Sequence, residues 1–302
     1  MGAAAHLPRL QRRAHVALAG ASGFVDGIIG TNAFFSNPTG VAVDAVGNIV
    51  IADNGNHAVR LLSRNGSVST LAGNLSGASG FSDGMGTTNA SFNRPVAVAV
   101  TSTGIVFVAD AGNNAIRMVS PNGAVTTLAG NPSGSSGFID GVGTNASFYR
   151  PSGIGVDTYG TVYVADTGNN AIRCISPSGS VTTLAGNALG VLAFSDGVGT
   201  SASFNRPTGV FVDTAGTVYV ADTLNGAIRT ISRSGLVTTL VAPHSFLTFP
   251  CVRCCCRRGE QRLVLRSRCW STCCLWYHVP TAAAAQPAAQ SAQSAQSAQS
   301  AA

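Results

Sequence analysis

Lysine is absent from this chain, and glutamate occurs once, at Glu260. Charged residues make up 10% of the 302 positions, and all 18 basic residues are arginine. Between residues 14 and 243 nine Arg meet eleven Asp, a balance of −2. The excess behind the net charge of +6 lies in the flanks: Arg9, Arg12 and Arg13 before, and six Arg between 253 and 268 after. A surface that holds phosphates needs its cations gathered on the folded domain. Nucleic acid is therefore disfavoured as a partner of the central region.

Dispersed cysteine is missing too. Seven of the eight Cys fall between 251 and 274, and Cys174 stands alone, whereas a disulfide-stapled scaffold spreads them through the chain. No apolar run reaches the roughly 18–20 residues of a membrane-spanning helix. Residues 1–20 carry Arg where a signal peptide needs an apolar core of roughly 7–15 residues. The chain reads as soluble and cytoplasmic by default, with an extracellular location left open. Catalytic side chains are equally scarce. The central region holds His15, His57, one Cys and no Glu, which gives no Ser/His/Asp or Cys/His arrangement. No cofactor is expected.

What the chain does have is glycine, 36 residues of it, and a repeat. "AD" aspartates fall at Asp53, Asp110, Asp166 and Asp222, separated by 57, 56 and 56 residues. Pro38, Pro95, Pro151 and Pro207 keep the same spacing, as do Arg60, Arg117, Arg173 and Arg229. Inside one repeat, "GIGVD" and "TVYVAD" alternate like strands, "TGNN" is a loop, and "AIRCIS" and "VTTLAG" are two further strands around a "PSGS" turn. Four short antiparallel strands at a fixed period describe the blade of an all-β propeller. Sustained helical periodicity is absent. The repeats span about 15–73, 74–130, 131–186 and 187–243, with a flank at 1–14. "HVALAG" (15–20) reads as a lone last strand, so the pattern is four full blades plus a partial one.

The segments "PTGVAVDAVGNIVIADNGNHAVR" (38–60) and "PSGIGVDTYGTVYVADTGNNAIR" (151–173) resemble the NHL-repeat family of β-propellers. The second repeat departs at "PVAVAVTSTG", and the fourth has Gly226 where its sisters carry Asn or another side chain. The resemblance implies a ring of the six-bladed kind that binds protein partners. It also admits an RNA-binding role, which needs a basic face, and a metal-dependent lyase role, which needs channel histidines. His57 has no counterpart in the other repeats and reads as a solvated loop residue.

A polar cluster that recurs once per blade does not read as one active site, which needs one constellation in one pocket. The Asp at the strand end can accept from the following turn, and the third-strand Arg can reach back to it. Asp53/Arg60, Asp110/Arg117, Asp166/Arg173 and Asp222/Arg229 are therefore read as the structural signature. Three connections, "FSDGMGTTNASFNRP" (81–95), "FIDGVGTNASFYRP" (138–151) and "FSDGVGTSASFNRP" (194–207), are too long for plain turns. Their "DG" suits a tight turn, and Phe138 and Phe148 pack the loop onto the blade. Together with the "TGNN" turns they are expected on one face, with Arg94, Arg150, Arg206, Asn113 and Asn169 as candidate binding residues. Those three Arg either line that face or pair with a nearby Asp, and local pairing is preferred. Sequons stand at Asn65, Asn74, Asn89 and Asn145.

After residue 243 the pattern stops. The stretch 244–280, rich in Cys and Arg, admits a metal cluster, a palmitoylated segment or a repeat translated out of frame, and the last is preferred because a one-base shift permits a line such as "VAVDAGNNV". Residues 281–302 are low-complexity and expected to be disordered. If 244–280 cannot supply strands, the ring stays open and the chain is expected to be weakly stable or to associate.

Overall fold

A computed structural model describes residues 23–28 and 32–242. The "HVALAG" strand, the stretch 244–280 and the tail lie outside the described residues. Within them the chain forms a β-propeller of four blades, not six, each an antiparallel sheet. No helix among the described residues is long and apolar enough to cross a membrane.

Blade 1 consists of β1 (Pro38–Val43), β2 (Ile49–Asp53), β3 (Ala58–Leu62) and β4 (Val68–Ala72). Blade 2 holds β5 (Gly84–Met85), β6 (Pro95–Val100), β7 (Val106–Asp110), β8 (Ala115–Val119) and β9 (Ala124–Ala129). Blade 3 runs β10 (Gly141–Val142), β11 (Pro151–Val156), β12 (Val162–Asp166), β13 (Ala171–Ile175) and β14 (Ser180–Ala185). Blade 4 has β15 (Gly197–Val198), β16 (Pro207–Val212), β17 (Val218–Asp222), β18 (Ala227–Ile231) and β19 (Leu236–Val241). The prolines open the innermost strands, where a missing N–H costs no ladder bond.

Four strands per blade were expected, and blades 2 to 4 have five. The long connection runs down the outer edge of the next blade, pairing β5 with β9, β10 with β14 and β15 with β19, before it returns to the inner strand. In blade 1 the same place is taken by a bridge, in which Gly27 and Val68 exchange N–H···O bonds of 3.0 and 2.8 Å. What looked like a face loop thus places a two-residue strand, or in blade 1 a single bridge, on the sheet's outer edge.

Blades pack through apolar faces. Val59, Phe92 and Val98 share one inter-blade core, Ile116, Phe148 and Ile154 a second, and Ile172, Phe204 and Val212 a third. Burying a side chain such as Phe148 contributes roughly 1.5–3 kcal/mol. Inner strands come close: a Cβ on Gly153 would overlap the Thr208 carbonyl oxygen of the next blade. The last three residues of all four inner strands line an axial cleft of about 310 Å³, walled by Val, Ala, Ile, Gly and Phe.

Candidate functional site

The repeated cluster is built from the end of the second strand. Asp166 leaves β12 with φ −83° and begins a 3-10 turn, Thr167–Asn169, that ends on Asn170 in the left-handed region at φ 51°. Its fully buried carboxylate takes Tyr149 N–H on Oδ1 (2.8 Å). On Oδ2 it takes the Asn169 amide and Arg173 Nη1, both at 2.8 Å. Arg173 is also fully buried and does more than reach back. Nη1 donates to Ser147 O, and Nη2 donates to Ile139 O and to Asp140 Oδ1 at 2.6 Å. Asp140 in turn accepts the Thr183 N–H on β14. The guanidinium lies between Phe138 and Phe148, at 4.9 and 5.1 Å from the ring centroids.

The arrangement is a clamp: one cation joins the inner hairpin, the returning connection and the outer strand. Cation–aromatic contact of this desolvated kind contributes on the order of 2 kcal/mol. Arg60, Arg117 and Arg229 repeat it with Asp53/Asp26, Asp110/Asp83 and Asp222/Asp196. The four inner aspartates and four arginines of the signature are all fully buried. Burial pushes the Asp110 and Asp166 carboxyls up to about 6, against the pull of Arg117 and Arg173. For Asp83, half in solvent, the upward push of burial is outweighed by the Thr127 donors and Arg117, and its carboxyl sits below the usual range.

Of the outer aspartates, Asp83, Asp140 and Asp196 were read only as parts of a tight turn, and Asp26 was given no reading. Their signal was in the sequence: each precedes its Arg by 33 or 34 residues. Asn113 and Asn169 are buried, and their amides are taken by Asp110 and Gly80 O, and by Asp166 and Gly137 O. They fasten the turn and offer no free donor to a partner.

Arg94, Arg150 and Arg206 are exposed and share a left-handed backbone, φ 52°, 51° and 50°. The expected local pairing with Asp does not form: every ion pair among the described residues uses Arg60, Arg117, Arg173 or Arg229. The neighbouring Asp is buried and its oxygens are already taken. What holds these positions is the backbone, whose N–H donates to His57 Nδ1, Asn114 Oδ1 and Asn170 Oδ1 of the preceding blade at 2.9, 2.8 and 2.8 Å. His57 is thus an inter-blade acceptor rather than a free loop residue.

The same end of blade 4 departs from its sisters. Leu189, Val191 and Leu192 stand in the 187–193 connection where blades 2 and 3 have Ser or Ala, and Leu224 replaces the glycines Gly55, Gly112 and Gly168. All four are exposed. Asn225 donates to Ala193 O, and Asn170 donates to Gly190 O while holding the Arg206 N–H. One set of anchors therefore gathers this apolar group and Arg206.

The NHL-repeat family model matches residues 35–60, 92–117 and 148–175, the inner three-strand core of blades 1 to 3 with its Asp and Arg. This chain is an NHL-repeat protein. Its repeats are 35% identical to NHL repeat-containing protein 2 of Bos taurus over 156 residues, 47% of this chain and 21% of that protein. They are 30% identical to the protein SUPPRESSOR OF QUENCHING 1, chloroplastic, of Arabidopsis thaliana over 221 residues, 70% of this chain and 21% of that one. The chain spans about a fifth of the length of these curated relatives. Among solved structures, an auxiliary nutrient binding protein from Bacteroides ovatus shares the fold with a TM-score of 0.53 at 20% identity, over 68% of this chain and 49% of that one.

Proposed function

We propose that this NHL-repeat propeller is a non-enzymatic scaffold that binds a protein partner on the end of blade 4. The observation that carries the reading is the departure from repeat symmetry. Leu189, Val191, Leu192 and Leu224 are apolar and exposed where the other blades are small or polar. Folding does not require them there, since the sister blades form the same strands and clamps without them. A contiguous apolar group beside an exposed arginine has the composition of a protein-binding patch. The clamp residues are spent on the fold, and the axial cleft presents an apolar wall rather than side chains that hold a metal or move a proton.

The test compares the full chain with the variant Leu189→Asp/Leu224→Asp as bait for cross-linking and affinity capture. The melting transition is expected to stay within about 0.5 kcal/mol of wild type, because the changes are on the surface. Partners specific to the wild-type bait are expected to fall at least about tenfold, roughly 1.4 kcal/mol. Equal retention by both baits overturns the reading, and so does capture of RNA that depends on salt but not on the two leucines.

A further inference from the structure

We propose that the two terminal faces of the four-blade arc bind each other between copies of this chain, blade 4 of one copy docking on blade 1 of the next. Each internal junction sets the trailing face of one blade on the leading face of its successor. At the trailing face Val59, Ile116 and Ile172 are 0% exposed, whereas Ile228 at the same position of blade 4 is 40% exposed. At the leading face Val98 and Ile154 are each 6% exposed, whereas Val41 of blade 1 is 68% exposed. Both ends thus present in the open the surfaces that the interior of the arc buries.

Polar groups set the register. Within the arc, Thr39 and Ser152 hydroxyls donate to Val96 O (2.8 Å) and Thr208 O (3.2 Å) on the next inner strand. Asn54 and Thr167 donate to the carbonyls of Pro95 (3.2 Å) and Pro207 (2.6 Å). Blade 4 repeats both donors as Thr208 and Thr223, and both are exposed. Blade 1 carries Pro38 and Thr39, likewise exposed, at the two acceptor positions. The donors at one end and the carbonyls at the other therefore match in the order that the blade 1–2 and blade 3–4 junctions use, blade 2 having Val96 and Ala111 at the donor positions. A second copy of this chain supplies that complement. Phe211 replaces Ala42, Ala99 and Gly155, with its ring beside Tyr219 at a centroid distance of 6.3 Å. It enlarges the apolar face and sets this junction wider at the axis than the internal ones. The contact is heterologous, so it closes a ring or grows as a chain, according to the rotation per step.

Sedimentation velocity of the full chain, with Val41→Asp and Ile228→Asp variants, tests this. Wild type is expected to form species of two or more chain masses as concentration rises to roughly 100 µM. Each variant alone is expected to be monomeric. An equimolar mixture is expected to give a one-to-one heterodimer and nothing larger, because each variant keeps the face the other has lost. Monomeric wild type throughout that range overturns the proposal. Self-association that only one variant abolishes also overturns it, since that marks a like-on-like contact. If an Asp variant does not keep the wild-type melting transition, the pair Val41→Ser and Ile228→Ser is read in its place.

Discussion

Arg173 donates Nη1 to Asp166 Oδ2 over 2.8 Å with both side chains fully buried, seven residues apart in the chain and on paired strands of one blade. A buried pair of this kind repays its desolvation only through good geometry and further hydrogen bonds. Here Asn169 and Tyr149 donate to Asp166, and Ser147, Ile139 and Asp140 accept from the two Nη atoms of Arg173, whose buried Nε alone has no partner among the described residues. The cluster is accordingly a fixture of the blade, which directs attention to the surface that differs between blades.

The outer strand depends on its aspartate. Asp140 joins Arg173 to the Thr183 N–H and hydroxyl, yet its side chain is half exposed. Asp140→Ala is expected to cost about 1 kcal/mol, given solvent screening, with the loss concentrated at the edge. Hydrogen exchange is the check: amides of 141–142 and Thr183 should exchange faster while the β12 and β13 amides keep their protection.

Acid should act on the fold in two opposed ways. The raised carboxyls of Asp110 and Asp166 mean that the folded state binds more protons than the unfolded chain between about pH 4, the unfolded value, and about pH 6. Stability from these two groups therefore falls as pH rises through that window. Asp83 and Asp196 have lowered values, burial being outweighed by their Thr and Arg donors, so their contribution is lost as pH falls below about 4. Desolvation first, then the Arg94 charge, lowers His57, and its contribution fades as pH falls below about 6.5. In a His57→Asn variant, which keeps an acceptor for the Arg94 N–H as Asn114 and Asn170 do, denaturant unfolding across pH should place maximum stability between about pH 4 and 5. A profile that rises steadily to pH 7 would contradict these signs.

Close approach of the inner strands makes Gly153 intolerant of a side chain. Gly153→Ala places a methyl against the Thr208 carbonyl oxygen, a backbone atom that moves only if blades 3 and 4 part. A loss of about 1–3 kcal/mol is expected, typical of overpacking. Gly209→Ala, whose added methyl meets only the Ala221 Cβ at 3.4 Å, should cost less when both are measured by thermal melting.

The propeller and the inner half of the clamp were legible in the sequence because Asp166 and Arg173 recur at a fixed interval and strand alternation places them on neighbouring strands. The outer half was not. Gly141–Val142 is too short to show any periodicity, and Asp140 followed by Gly reads as a turn until its partner 33 residues on is known. Phe138 and Phe148 were rightly set against the blade, but that they sandwich a cation depends on where three separate segments meet. Arg94, Arg150 and Arg206 look like ligands of the nearby aspartates. Their left-handed backbone and the saturation of those aspartates, both three-dimensional facts, leave the side chains free. Asn113 and Asn169 look like loop residues because the turn that buries them is only three residues long.

The clamp as a structural device is tested most directly by a double-mutant cycle on Asp166 and Arg173, using Asp166→Ala, Arg173→Met and the pair, read by equilibrium unfolding. Arg173→Met leaves the buried Asp166 carboxylate without a cation and is expected to cost about 3–5 kcal/mol, whereas in Asp166→Ala the guanidinium keeps Asp140 and the cost is expected at the low end, about 3 kcal/mol. The double variant is expected to recover part of this, with a coupling of at least about 1.5 kcal/mol. Single variants that unfold like wild type, with a coupling near zero, would contradict the account.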